Sequence, residues 1–292
     1  YVQMLLLERD PAENSGLRRA TARYLAWLVS GEFGCDDAAL LRQASPWTAA
    51  PLQDDDGGGA VWLAFLGQRM DGNSGAFLRE AWQVARQWTW QGENPRGSPD
   101  LWESIDVTAE LEGKEMDDLA LTLGVDRYLH DSPIMRELGL PPAPPRATLR
   151  YADLPEHMSA LDPPLKPLGS SAVRVQLPAT PDGNRLRVWS RAEFGVRWSL
   201  SAVLLDSLGR ELGRVTAPSR SHPDSFLSVE AQPGCRTILV VLTNLSGRLP
   251  DADIPDPNTR SARLTLDRGQ APGAHVGPAP AAAENPTAPP AP

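Results

Sequence analysis

The chain has 292 residues, with 28 Lys and Arg against 37 Asp and Glu, so its formal net charge is -9. A hydrophobic content of 41% is ordinary for a globular protein and excludes a chain that is disordered throughout. The acidic balance argues against nucleic acid as a partner, because nucleic-acid binders neutralise phosphates with clustered Lys and Arg. The longest apolar run, Ala60 to Gly67, is far shorter than the about 20 residues of a membrane-spanning helix, so no transmembrane segment is predicted.

The N-terminal part shows helical periodicity. Apolar residues recur at helical spacing from Leu17 to Leu28 and end before Gly31. The run Ala60 to Gly67 is apolar on every face, which predicts a buried central helix. Four more helices are predicted to begin near Asp36, Ser74, Ser98 and Met116. Six helices of this kind predict an all-α module.

The composition then changes twice along the chain. A proline-rich stretch follows the helices and is predicted to form an extended connector, because proline can neither continue a helix nor lie in a central strand. After it, apolar and polar residues alternate in about seven segments separated by turn signals, which is typical of an antiparallel β-sandwich. The last stretch, rich in Pro, Ala and Gly, is predicted to be disordered. The predicted fold class is α+β with two domains, divided into residues 1–135 (helical module), 136–170 (connector), 171–268 (sandwich) and 269–292 (tail).

The chain contains only two cysteines. Cys35 and Cys235 are too few for a disulfide framework and fit no metal-binding spacing. A single long-range disulfide between them and two buried, inert thiols both remain open.

The chain begins at Tyr1 with no initiator Met and no leader, so we expect a mature or truncated product.

The sequence offers little that indicates catalysis. No two histidines lie four residues apart beside a Glu, so the helical zinc-peptidase motif is absent. His157 and His222 are candidates for a catalytic base, but no partner residue is indicated for either. The segment Ser221 to Asp224 contains Ser, His and Asp but lacks the Gly-x-Ser-x-Gly elbow of a hydrolase. A non-enzymatic protein is therefore favoured.

Two acidic clusters are candidates for calcium, because a hard cation takes several oxygen ligands from flexible loops. The first is Asp54 to Asp56, and neither cluster has the spacing of an EF-hand. The second is formed by Asp251, Asp253, Asp256 and Asn258. A solvated loop is the alternative for both, so no cofactor is expected other than calcium at these positions.

Tryptophan is the most informative residue type in the predicted sandwich. Trp198 shares a face with apolar residues and is predicted to be buried between the sheets. Trp189 shares its face with Arg185 and Arg187, so it is predicted to be exposed. An exposed Trp flanked by arginines on a sheet is a candidate stacking platform for a sugar or a peptide. Packing of Trp189 against the helical module or the connector is the alternative.

Parts of the helical module resemble a known family. The stretch Gly57 to Asp71, an apolar helix with a glycine-rich entry, and the following Gly75 to Trp82 resemble the post-catalytic helical part of secreted bacterial zinc metallopeptidases of the hyicolysin and immune-inhibitor-A type. Residues Glu115 to Tyr128 are similar to the closing helix of that part, which a β-sandwich commonly follows. The resemblance implies a metallopeptidase-like scaffold for the helical module.

The chain departs from that family at the zinc site. The family holds zinc with a His-Glu-x-x-His helix and a downstream Glu. The corresponding helix here, Ala20 to Leu28, contains no ligand, and Glu32, where the third ligand would fall, has no His pair before it. The resemblance therefore implies either a degenerate relative or a fragment whose motif lies upstream of Tyr1.

These observations predict an extracytoplasmic bacterial protein, whether secreted, periplasmic or lipid-anchored, that binds a protein or glycan surface without catalysis. A C-terminal fragment of an active secreted zinc metallopeptidase is the first alternative. A glycan-binding β-sandwich protein, with its ligand at Trp189, Arg185 and Arg187, is the second.

Overall fold

The computed structural model describes residues 15–31, 58–89, 101–137, 139, 142–158, 165, 169–179, 184–192, 197–220, 224–245 and 262–269. The described residues of the N-terminal part form six helices: α1 (Ser15–Ser30), α2 (Gly58–Asp71), α3 (Ala76–Thr89), α4 (Leu101–Leu111), α5 (Met116–Asp126) and the short α6 (Pro133–Glu137). Among the described residues, no helix is long and apolar enough to cross a membrane.

The helical module is organised around α2, which is buried on nearly every side, as its all-apolar sequence predicts. Helix α1 crosses α2 where Tyr24 lies over Gly67, and a Cβ at Gly67 would overlap the Tyr24 hydroxyl. That hydroxyl donates a hydrogen bond to Oδ1 of Asn73 at 3.1 Å, and burial raises the pKa of Tyr24. Glycine is therefore required at the crossing of the two helices.

In the C-terminal part, the segments that the structure describes form nine strands: β1 (Ala147–Arg150), β2 (Glu156–Met158), β3 (Ser170–Gln176), β4 (Arg185–Ala192), β5 (Trp198–Leu205), β6 (Glu211–Arg220), β7 (Asp224–Glu230), β8 (Thr237–Asn244) and β9 (Ala262–Gly269). They form a five-stranded sheet in the order β1-β3-β8-β5-β6 and a four-stranded sheet in the order β2-β9-β4-β7. All pairings are antiparallel except that of β1 with β3. The predicted α+β class, with helices first and a mostly antiparallel sandwich second, is confirmed.

The two sheets enclose one apolar core. Trp198 and Leu200 of β5 and Val188 of β4 belong to it, and Trp198 is only 2% exposed, as its pattern predicts. The free thiol of Cys235 is buried in the same core, with its Sγ 3.3 Å from the carbonyl oxygen of Thr237. Burial raises the pKa of this thiol, which keeps it protonated and unreactive. This agrees with the buried-thiol alternative for Cys235, while Cys35 lies outside the described residues.

The outer face of the five-stranded sheet is covered by helix α5 and the residues that follow it. Val125, Tyr128 and Leu129 form a second apolar cluster with Val203 of β5 and Val241 of β8. The Tyr128 hydroxyl donates a hydrogen bond to the carbonyl oxygen of Ser170 on β3 at 2.9 Å. The molecule therefore has three layers: helices, five-stranded sheet and four-stranded sheet.

Strand β5 is buried on both faces. Alternation along the strand places Ser199 and Ser201 on the polar face, opposite Trp198, and such a face usually points to solvent, yet both residues are buried. Their side chains do point away from the sandwich core, but that face lies under the helical layer. Every residue of β5 is buried as a result.

The proline-rich segment also differs from a simple connector, because it supplies β1 and β2. Strand β1 pairs with β3 at one edge of the five-stranded sheet, and β2 pairs with β9 at one edge of the four-stranded sheet. Edge positions tolerate nearby proline, since only one side of the strand needs its hydrogen bonds. The predicted tail beyond Gly269 lies outside the described residues.

Helix α5 approaches the sheet closely at Gly124. A Cβ placed on this residue would lie 2.7 Å from Oγ1 of Thr243 and 3.4 Å from Cβ of Ser170. A contact of 2.7 Å is shorter than real Cβ atoms accept, so any larger residue would move the helix away from the sheet. Gly124 therefore sets the spacing between the helical layer and the sheet.

An ion cluster around one buried carboxylate lies beside this contact. Asp126, at the end of α5, is 6% exposed, and its carboxylate lies 3.5 Å from Nη2 of Arg69 on α2 and 3.4 Å from Nη2 of Arg214 on β6. Arg214 also pairs with Glu211 at 2.8 Å. Burial raises the pKa of Asp126, although the two arginines act in the opposite direction. The cluster joins three elements of two layers and fixes their relative positions.

We expect Gly124→Ala to lower the free energy of unfolding by about 1–3 kcal/mol, because the added methyl overlaps the Thr243 hydroxyl. Thr243→Ala in the same chain removes that overlap, so the double variant should lose less than the sum of the two single losses. Denaturant unfolding measures all four proteins. Thr122→Ala, on the same helix, is the control and should change stability by less than about 0.5 kcal/mol. Strict additivity of the two substitutions would contradict the steric explanation.

Candidate binding face on the four-stranded sheet

The four-stranded sheet turns one face to the core and the other to solvent. On β4, Leu186, Val188 and Ser190 are buried, so the intervening residues point outward. These are Arg185, Arg187, Trp189 and Arg191. The period of two in the sequence therefore places the predicted site residues on one face, as expected.

Trp189 lies beside a second aromatic residue on this face. The register pairs Trp189 of β4 with Phe226 of β7, and their ring centroids are 5.1 Å apart with a tilt of 43°. Trp189 is 37% exposed and Phe226 is 51% exposed. The tilted rings contact each other across the two strands, and both keep a large part of their surface in water. The predicted exposure of Trp189 is confirmed.

The aromatic pair continues into a row of polar side chains across the sheet. Thr265 of β9 lies opposite Trp189, and His157 of β2 lies opposite Thr265. Nδ1 of His157 is 3.2 Å from Oγ1 of Thr265. The row Phe226, Trp189, Thr265, His157 therefore crosses all four strands, from an aromatic end to a hydrogen-bonding end.

Charged residues flank this row, and most are paired. Arg185 pairs with Glu230 at 3.0 Å, and Arg191 pairs with Asp224 at 3.7 Å, in both cases with the facing strand β7. Such exposed pairs add little to stability, typically less than about 1 kcal/mol. They do neutralise the two arginines at the ends of β4.

Arg187, between them, is different. Its register neighbours are Ser228 on β7 and Asp267 on β9, and it makes no ion pair within the part of the chain that the structure describes. Its guanidinium carbon lies 5.9 Å from the centroid of the Trp189 ring, a cation–π distance. Its Nε is buried and has no hydrogen-bond acceptor. Because Nε is enclosed, a ligand in solvent can reach this guanidinium only through its terminal Nη groups.

Among the described residues, the face offers stacking surface and hydrogen-bond donors. The row brings His157 next to the Thr265 hydroxyl but contains no carboxylate that could orient the imidazole. Within the described ranges, no three His, Cys, Asp or Glu side chains form a group that could hold a metal ion. His222 and both acidic clusters, Asp54 to Asp56 and Asp251 to Asn258, lie outside the described residues.

Sequence reasoning missed Phe226, Thr265 and His157 as members of this face. The alternation in β7 does place Phe226 outward, between Asp224 and Ser228, so part of the signal was present. The sequence gives no direct information on which strands pair, or in which register. The neighbours of Trp189 therefore became visible only in the folded chain.

The two sandwich tryptophans provide a matched pair for testing these positions. We expect Trp198→Ala to cost about 3–5 kcal/mol of stability, since its ring is buried in the core. Trp189→Ala should cost no more than about 1 kcal/mol, the range of a cross-strand contact. Thermal or denaturant unfolding measures both. A large loss from Trp189→Ala would show that this ring serves packing.

Comparisons with known proteins give structural likeness only. No family model and no curated protein matches the chain. Among solved structures, it is similar to the pre-peptidase C-terminal domain of a collagenase from Bacillus anthracis, at 9% identity and a TM-score of 0.28, over 42% of this chain and 97% of that domain. It is also similar to the enzymatically active domain of tailspike protein 4 of bacteriophage CBA120, at 11% identity and a TM-score of 0.25, over 35% of this chain and 14% of that one. A third likeness is to the glycosylation-associated protein (Gap123) complex from Streptococcus agalactiae, at 13% identity and a TM-score of 0.24, over 38% of this chain and 33% of that one.

Proposed function

We propose that this protein is an extracytoplasmic, non-catalytic carbohydrate-binding protein that holds its ligand on the outer face of the four-stranded sheet. The observation that carries the proposal is the contacting pair Trp189 and Phe226, exposed at 37% and 51% among the polar side chains of β4 and the edge strand β7. Two aromatic rings at this position leave apolar surface in water that a ligand can cover.

The main alternative for Trp189 was packing against the helical module. The helices lie against the five-stranded sheet, through the cluster of Val125, Tyr128 and Leu129, on the side of the molecule away from Trp189. The described part of the connector contributes β2. Its His157 lies at the far end of the row from the two rings and leaves them exposed. Neither packing partner therefore covers Trp189 within the described residues.

The surroundings of the rings favour a sugar over a peptide. Strand β4 lies between β7 and β9, so its backbone hydrogen bonds are used within the sheet and a peptide cannot be added there as a strand. The side chains around the rings are those of Thr265, Ser228 and Arg187, which bond to hydroxyl groups and provide no apolar pocket. A sugar ring offers a face of C–H groups for the aromatic rings and hydroxyls for this polar border.

Retention by polysaccharides in affinity electrophoresis tests the proposal. Against a panel of neutral and acidic polysaccharides, the wild-type protein should be retarded by at least one, and Trp189→Ala should lose this retardation because the stacking surface is gone. The melting temperature of the variant should stay close to that of the wild type.

Leu212→Ala is the matched control, because Leu212 has a similar exposure of 39% but lies on β6 of the other sheet. It should leave retention unchanged. Unchanged retention in Trp189→Ala, or a wild-type protein retarded by none of the polysaccharides, would overturn the proposal.

The non-catalytic part of the proposal follows from the resemblance to a metallopeptidase scaffold without the His-Glu-x-x-His ligands. We expect purified protein to contain no stoichiometric zinc and to leave casein intact. Metal analysis by mass spectrometry, with a caseinolysis assay on the same sample, measures both. Tightly held zinc together with proteolysis would instead support the alternative, a fragment of an active secreted zinc metallopeptidase.

A further inference from the structure

We infer that the carbohydrate bound on this face is acidic, and that Arg187 recognises a carboxylate on the sugar that stacks on Trp189 and Phe226. The inference rests on the proposed function and adds the chemical class of the ligand.

Charged side chains of both signs lie on the outer face of the four-stranded sheet. Four arginines, Arg185, Arg187, Arg191 and Arg263, share this face with three carboxylates, those of Asp224, Glu230 and Asp267. The two carboxylates on β7 neutralise the arginines at the ends of β4. Arg187, next to the aromatic pair, faces Asp267 of β9 in the register but forms no ion pair among the described residues. The face therefore carries one more arginine than carboxylates, and the Arg187 guanidinium is not held in an ion pair.

The guanidinium of Arg187 lies close to the Trp189 ring. Its Nε is buried, while its guanidinium carbon lies 5.9 Å from the centroid of the Trp189 ring. The two terminal Nη groups of a planar guanidinium donate two parallel hydrogen bonds to a carboxylate, a geometry that neutral hydroxyl groups do not match. A carboxylate bound end-on at these Nη groups would give them an ion-pair partner that no described residue provides.

The register places this acceptor site next to the stacking surface. Arg187 and Trp189 are two residues apart on β4, and they face Ser228 and Phe226, which are two residues apart on β7. Rows of this kind are about 7 Å apart along the strands, and the guanidinium extends toward the ring. One sugar ring over the aromatic pair would therefore bring a carboxylate on that ring within reach of Arg187.

The neighbours of Arg187 also determine the side from which the carboxylate approaches. Asp267 lies on its β9 side, where two like charges would repel each other. Ser228, on the β7 side, is small and exposed, and its hydroxyl can donate a further hydrogen bond. The carboxylate is therefore expected between Arg187 and Ser228.

Two polymers that share one sugar ring and one linkage test the inference. Polygalacturonate bears a carboxylate on each ring, and its fully methyl-esterified form lacks that charge. We expect the wild-type protein to bind polygalacturonate about 10-fold or more tightly than the ester, and Arg187→Gln to lose this preference because its affinity for polygalacturonate falls by more than its affinity for the ester.

Arg185→Gln is the matched control. Arg185 lies on the same strand and face but is already paired with Glu230, so the substitution should change either affinity by less than about 3-fold. Equal affinity for the two polymers, or an unchanged preference in Arg187→Gln, would overturn the inference. Binding of polyglutamate as tightly as polygalacturonate would also overturn it, in favour of an acidic peptide.

Trp189→Ala distinguishes a failure of the acidic specificity from a failure of the proposed function. Loss of binding to both polymers in this variant, with no effect of Arg187→Gln, would support the stacking face and refute the acidic specificity. Undiminished binding of both polymers in Trp189→Ala would instead refute the proposed function itself.

Discussion

The close contact of helix α5 with the five-stranded sheet at Gly124 determines which surfaces of this protein face water. Because Gly124 has no side chain, the helix lies directly on Thr243 and Ser170, and the Tyr128 hydroxyl reaches the carbonyl oxygen of Ser170. The helical layer thus covers the outer face of this sheet at its central strands, β5 and β8. The other sheet, on the far side of the sandwich core, is left with its outer face in solvent.

This layering gives the two sheets different sequence patterns. Strand β8 runs through Ile238 to Leu242 without a polar residue, as expected for a strand buried on both faces. Strands β4, β7 and β9 instead alternate between core residues and charged or polar ones. On such a face an apolar ring is an exception to the pattern. Trp189 and Phe226 are two exceptions placed side by side, and this is why we assign them a role in binding.

The sequence was sufficient for the type of each element and for the direction of many side chains. The period of two predicted that Trp198 points inward and Trp189 outward, and both directions are observed. It could not predict that Ser199 and Ser201 are buried, since alternation identifies a face but not what covers it. It also could not place His157 beside Thr265, because the two residues are 108 positions apart and meet only through strand pairing. Local periodicity therefore predicted the candidate residue Trp189, whereas tertiary packing determined its surroundings.

The net charge of -9 is no obstacle to an anionic ligand on this face. At physiological salt, charges in solvent are screened beyond about 8 Å, so a bound group responds mainly to its immediate neighbours. The immediate neighbours of Trp189 include Arg187, which forms no ion pair among the described residues. The nearby carboxylates of Asp224 and Glu230 form ion pairs with Arg191 and Arg185. The acidic residues elsewhere reduce the rate at which a polyanion approaches the protein more than they reduce its affinity once bound. The proposed recognition of an acidic sugar by this acidic protein therefore depends on Arg187, which forms no ion pair among the described residues and lies beside an aromatic pair.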